Sequence, residues 1–121
     1  MTAKINLNEK FALFREHWRP KVIAALNGQE VKIVKVKGEF PWHCHEHEDE
    51  FFMVWKGRFR VEFRDRVVDM GAGECVVVPR GLEHRTSADE EAEVLCFEPA
   101  GVVNTGNLLD ATYTAPQGVS I

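Results

Sequence analysis

His43 and His45 stand two positions apart, with Glu50 shortly after them and His84 further on. On a strand, residues two apart leave the same face, so both imidazoles would project together. Imidazole is the commonest metal ligand, and two that converge can share one cation. Glu50 lies an odd number of residues from each, so a continuous strand would point it away. A turn through Glu46 to Asp49 would swing it back as an oxygen ligand. His84 follows Gly73, Pro79 and Gly81. Glycine and proline fix a sharp turn, and such a turn can deliver one more imidazole to the same cavity.

The other reactive side chains have plainer readings. His47 keeps the alternation of His43 and His45 and is an alternative to Glu50; otherwise it joins the solvated acidic turn of Glu46, Glu48 and Asp49. His17 reads as a surface residue. Cys44 alternates away from its flanking histidines, which favours a packing role over ligation, and Cys75 and Cys96 read as buried strand residues. Arg80 and Arg85 flank the His84 turn. They would either hold an anionic substrate at the mouth of the site, since arginine favours carboxylate and phosphate, or stand as exposed turn residues. No second buried carboxylate or histidine presents itself as a proton carrier, and the single tyrosine, Tyr113, lies near the C-terminus.

These side chains need elements to position them. Phe11, Phe14 and Trp18 recur at helical spacing, which predicts a helix over residues 8–18 with Asn8 as N-cap and an end before Pro20. Residues 22–26 are expected to be helical or irregular, and Asn27-Gly28 a turn. Beyond it the pattern changes to short strands: residues 31–36, 51–55, 59–63, 67–68, 75–78 and 94–97, separated by Gly and Pro. Many short strands with such turns indicate an antiparallel sandwich or barrel. Phe40, Trp42, Phe52, Val54, Phe59, Val61 and Phe63 should fill its core, with one or two lining a pocket. Residues 101–121 read as a surface tail, ordered only if it packs on the body or on a second subunit.

Composition sets the class. The chain has 121 residues, 45% of them hydrophobic and 28% charged, the mix of one soluble domain. Its 15 Lys+Arg against 19 Asp+Glu give a net charge of −4, which argues against nucleic-acid binding through a basic face. No apolar run approaches the roughly 18 residues that span a membrane. The first ten residues carry no apolar signal core, and the three cysteines are odd in number; a cytoplasmic protein with reduced thiols is expected.

Two segments together resemble the paired motifs of the cupin superfamily. The first motif is matched by Gly38, His43, His45, Glu50 and Gly57, with four rather than five residues between Gly38 and His43. The second is matched by Gly73, Pro79, Gly81 and His84, with Ala88 where the pattern has Asn. The run from Phe97 to Asn107 is also similar to small single-domain cupins labelled mannose-6-phosphate-isomerase-like. The resemblance implies an all-β, six- to eight-stranded antiparallel jelly-roll barrel with a short N-terminal helix. It divides the chain into an N-terminal helical segment (1–30), the barrel (31–100) and a C-terminal extension (101–121). It implies one divalent transition metal (Fe, Mn, Ni, Zn or Cu) held inside the barrel by His43, His45, Glu50 and His84. It further implies a small-molecule ligand or substrate and a homodimer, while charge and hydropathy predict no nucleic-acid or membrane partner. Two functions follow as expectations. One is a metal-dependent enzyme, isomerase-like or dioxygenase-like, acting on a small polar organic molecule; its catalytic residues are not legible. The other is a non-catalytic module that binds a metal or small ligand.

Overall fold

The computed structural model describes residues 2–121. It contains one short helix, α1 (Leu7–Phe11), and seven strands: β1 (Lys21–Leu26), β2 (Gln29–Glu39), β3 (Glu50–Lys56), β4 (Arg58–Glu62), β5 (Val67–Gly71), β6 (Cys75–Val78) and β7 (Arg85–Pro99). All pairings between strands are antiparallel, in the order β1-β2-β7-β3-β6, with β4 joined to β5 and β7. No helix of the described residues is long and apolar enough to cross a membrane.

β7 organises the fold. Its C-terminal half pairs with β2 on one edge and β3 on the other, and its N-terminal half pairs with β4. Between the halves the register shifts: Val36 faces Ala92 but Gly38 faces Ala88. The extra residues Asp89, Glu90 and Glu91 bend β7 and let one strand serve both walls of the barrel. Only residues 94–97 read as a strand in the sequence, because the acidic run at the bend hides the element.

Alternate residues of the central strands point inward. Val34 and Val36 on β2, Phe52 and Val54 on β3, Phe59 and Val61 on β4, and Val94 on β7 form one buried cluster. Each such side chain contributes about 1.5–3 kcal/mol by leaving water. Phe11, Phe14 and Ile33 form a second, smaller cluster on the outside of β2, so this strand is buried on both faces.

The N-terminal helix is shorter than its apolar spacing predicts. It spans five residues, and Asn6 rather than Asn8 caps it, its side chain accepting from the Glu9 backbone N–H at 3.0 Å. Asn8 instead accepts from the Trp55 indole N–H. Trp18 adopts a positive φ of 62°, and its backbone N–H donates to Lys35 of β2. A short helix is marginal by itself, and here the sheet edge takes the backbone bonds that a longer helix would need. Residues 22–26, expected to be helical or irregular, form a strand. Asn27 and Gly28 both have positive φ (50° and 75°), the geometry of a two-residue hairpin turn, and that hairpin zips β1 onto β2. Cys75 is exposed rather than buried, because β6 places it with the outward-facing residues opposite Met53. Cys96 is buried as expected.

Residues 101–121 pack on the body: Val102, Thr105 and Ala115 are buried, and Ser120 bridges to Val22.

Candidate metal centre

His43 and His84 are opposed across an isolated antiparallel bridge, each backbone N–H donating to the other's carbonyl at 2.9 Å. This mutual pairing brings the two rings side by side, with centroids 4.5 Å apart. His45 follows on the same face, its ring centroid 5.1 Å from that of His43. Glu50 opens β3, after a bend at Glu46 and His47, within the segment where a turn was expected to swing it back. The four residues each offer a ligand atom, these atoms lie within 4.8 Å of one another, and all four residues are buried.

The tautomers are set by the backbone. His43 Nδ1 lies 2.9 Å from the Pro41 carbonyl, and His84 Nδ1 lies 2.9 Å from the Leu82 carbonyl. A carbonyl only accepts, so both rings carry their proton on Nδ1 and leave the Nε2 lone pair free. Glu50 Oε1 sits 3.4 Å from His45 Nε2 and 3.5 Å from His84 Nε2. His45 Nε2, His84 Nε2 and Glu50 Oε1 are all buried without a hydrogen-bond partner. Buried polar atoms are almost always satisfied, and a cation would satisfy these three converging atoms together. Ligand–metal distances of about 2.0–2.2 Å place neighbouring ligands at about 3–3.5 Å, which matches these separations. The residues fit a divalent metal.

Electrostatics point the same way. Burial, reinforced by repulsion from His84, pushes the His43 pKa down to about 3, and the same causes push His45 down to about 4. Burial lowers His84 as well. The imidazoles are therefore neutral at physiological pH, the form that ligates. Burial pushes Glu50 up to about 7. A cation at the centre would reverse that shift.

The sequence missed one buried carboxyl. Glu98 is 4% exposed, lines the same cavity as Glu50, and accepts from Lys32 Nζ at 2.9 Å. Burial, and after it the Glu50 charge, raises its pKa to about 8. The signal was present as parity: Glu98 continues the inward series Val94 and Cys96, and Lys32 begins the inward series Val34 and Val36. A cavity of about 40 Å³ reaches His43, Glu50 and Glu98, with Trp18, Val34, Val36, Phe40, Phe52 and Phe59 among its walls.

The remaining candidates lie elsewhere. The His47 side chain is 86% exposed, near Glu46, and belongs to the acidic turn. His17 pairs with Glu91 at the surface. Cys44 is half-buried, and its backbone N–H donates to Asn107. Arg80 is paired with Asp49. Arg85 is paired with Glu39 and Glu62 and stacks over Trp42. Neither arginine lines the cavity. Tyr113 packs edge-on against Phe40, which in turn meets the His43 ring.

A curated relative, the uncharacterized protein YdbB of Bacillus subtilis, is 31% identical over 77 residues, covering 63% of this chain and 68% of its own. Among solved structures, a cupin-2 domain containing protein from Shewanella frigidimarina is 47% identical with a TM-score of 0.78, over 78% of this chain and 93% of its own. The hydroquinone 1,2-dioxygenase PnpCD, solved in complex with Cd2+ and 4-hydroxybenzonitrile, shares the fold at 20% identity and a TM-score of 0.65, over 76% and 70% of the two chains. The Cupin domain model matches residues 30–98, the span that carries both histidine segments and most of the barrel wall. By that match this chain belongs to the cupin family.

Proposed function

We propose that the barrel holds one divalent transition metal through His43, His45, Glu50 and His84 and acts as a metal-dependent enzyme, isomerase-like or dioxygenase-like, on a small organic molecule. The observation that carries the reading is the convergence of three neutral imidazoles and one carboxylate, all buried, with three orphaned ligand atoms. Such a ligand set suits Fe, Mn, Ni, Zn or Cu. Bound there, the metal would supply Lewis-acid or redox chemistry, with coordination positions left over for a ligand. The protein's share is the rest. Pro41 and Leu82 hold two imidazoles in the ligating tautomer. Phe40, Phe52 and Phe59 keep bulk water from the site, and Trp18 and Tyr113 pack around Phe40. Glu98 is a second carboxyl beside the first, able to hold a proton within the cavity. Arg80 and Arg85 serve the rim, where carboxylates already balance them.

A non-catalytic module is the alternative reading, and turnover separates the two.

A second copy of the chain is part of the same proposal. Val31, Phe97, Phe51 and Val77 are register partners across β2, β7, β3 and β6. Phe97 and Val77 are exposed, and the row makes an apolar strip on the outer face of the sheet. Pairing two such strips would remove them from water.

Metal analysis by mass spectrometry, on untagged protein purified without chelators, tests the reading. Near-stoichiometric metal is expected in the parent and its loss in His45→Ala/His84→Ala. A parent that stays metal-free after reconstitution would overturn the metalloenzyme and leave a metal-free binding barrel.

A further inference from the structure

The cavity that reaches His43 and Glu50 has a volume of about 40 Å³, room for a few waters. Sites for small organic molecules typically hold about 300–1,000 Å³, so a wall must move before such a molecule enters. Most of the wall is fixed. Its strand residues lie on β2, β3, β4 and β7, and the first three are all hydrogen-bonded to β7. Trp18, Pro20, Phe40, His43 and Asn104 complete the wall from outside the strands. His43 is bridged to His84. Phe40 is buried, and its backbone N–H donates to the Thr86 carbonyl at 2.8 Å. The Asn104 side chain donates to the Tyr113 carbonyl and accepts from the Ala115 N–H. Pro20 has the rigid ring of proline.

Trp18 is built differently. It is half-buried, and its indole N–H makes one bond, to the Lys37 carbonyl at 3.0 Å. The ring lies against Phe40, centroids 4.8 Å apart, and Phe40 meets the His43 ring edge-on at 5.3 Å. The Trp18 backbone, by contrast, is pinned. Its N–H donates to the Lys35 carbonyl at 2.8 Å, and its carbonyl accepts from Asn104 at 3.4 Å. These bonds hold a bulky residue at a φ of 62°, a left-handed conformation that is costly and persists only where neighbours impose it. A fixed backbone beneath a ring held by one bond and one stack is the construction of a swinging gate. We propose that Trp18 gates this cavity and sets the size of molecule that reaches His43 and Glu50. An outer hollow of about 290 Å³ touches His45 and no other of the four candidate ligands, and it is the competing route.

This inference rests on the metal reading above, and its test keeps the two apart. Co(II) is loaded into the parent, Trp18→Gly and Trp18→Phe, and its visible spectrum reports occupancy. Stopped-flow absorbance then follows the entry of two anions that bind Co(II), azide and the bulkier benzenethiolate. Glycine accepts the left-handed backbone and keeps the bond to Lys35 while removing the ring. Trp18→Gly should admit benzenethiolate at least about tenfold faster than the parent, with the azide rate within about threefold. Trp18→Phe keeps a smaller ring and loses the Lys37 bond. It should fall between the two, and it carries the test should the glycine variant fail to melt cooperatively. Parent-like benzenethiolate rates in the variants would overturn the gate and leave the outer hollow as the route. Equal acceleration of both anions would overturn it too, as a general loosening of the barrel. A parent that takes up no Co(II) overturns the metal reading itself, and the gate with it.

Discussion

The four ligand side chains are held in protonation states that the unfolded chain would not choose, which links the site to pH. Buried imidazoles with pKa values of about 3 and 4 bind fewer protons than the unfolded chain below its pKa of about 6.5. Folding stability is therefore lost as pH falls through that window. Glu50 and Glu98, raised to about 7 and 8, act in the opposite sense. Their contribution is fully present below about pH 4.5 and is lost as pH rises through 7 and 8. The two effects oppose each other between about pH 4.5 and 6.5 and separate outside it. Exposed carboxylates held low by arginine, such as Asp49 by its bond from Arg80, reinforce the acid side. The metal-free protein should thus melt at lower temperature both below pH 4.5 and above pH 6.5. Calorimetry in chelated buffer from pH 3.5 to 8.5 checks this, and a melting temperature that rises from pH 6.5 to 8.5 would refute the carboxyl part. Saturating Zn(II) should flatten the alkaline arm, because a bound cation keeps Glu50 ionised.

At the scale of elements, the histidine segment depends on a neighbour far along the chain. Asn107 N–H donates to the Cys44 carbonyl, and the Asn107 side chain accepts from Cys44 N–H, so residues 105–107 clamp the backbone between His43 and His45. Gly106 permits this approach: its φ is +57°, and a Cβ there would collide with the Cys44 carbonyl oxygen and crowd the His43 ring. Gly106→Ala should lower stability by about 1–3 kcal/mol and weaken Zn(II) binding at least tenfold. Gly118→Ala, also at positive φ but facing open space, should leave Zn(II) affinity unchanged. Chelator competition and thermal melting read both. Equal affinities in the two variants would show that the clamp does not position the histidines.

At the scale of the whole molecule, the outer strip of Val31, Phe97, Phe51 and Val77 crosses four strands, while α1 and its following segment cover only the Ile33 end of that face. Light scattering at micromolar concentration should give about twice the 13.8 kDa of one chain. Phe97→Glu/Val77→Lys, two outward changes that leave the inner face untouched, should give single chains with the metal site intact. A single-chain mass for the parent would refute the pairing.

The sequence by itself determined the family and the approximate frame of the candidate site. Strand parity paired His43 with His45, a turn at Glu46–Asp49 left Glu50 or His47 to join them, and the resemblance to the cupin motifs completed the set with Glu50 and His84. The strands from residue 31 were legible because their alternation is a property of a few consecutive residues. Only the tertiary structure decided what depends on distant partners. The Asn-Gly turn was readable, but the strand it closes at residues 21–26 needed β2 beside it. The apolar spacing of Phe11, Phe14 and Trp18 was real, yet the edge of β2 claimed the Trp18 N–H and no long helix formed. Glu98, one residue past the strand read at 94–97, is buried only because the closed barrel sets it against Lys32 and beside Glu50. The tail looked like surface until Gly106 was seen to fit against Cys44. Periodicity reports which face a residue leaves by; whether that face meets water, a core or a second charge is settled when the sheet closes on itself.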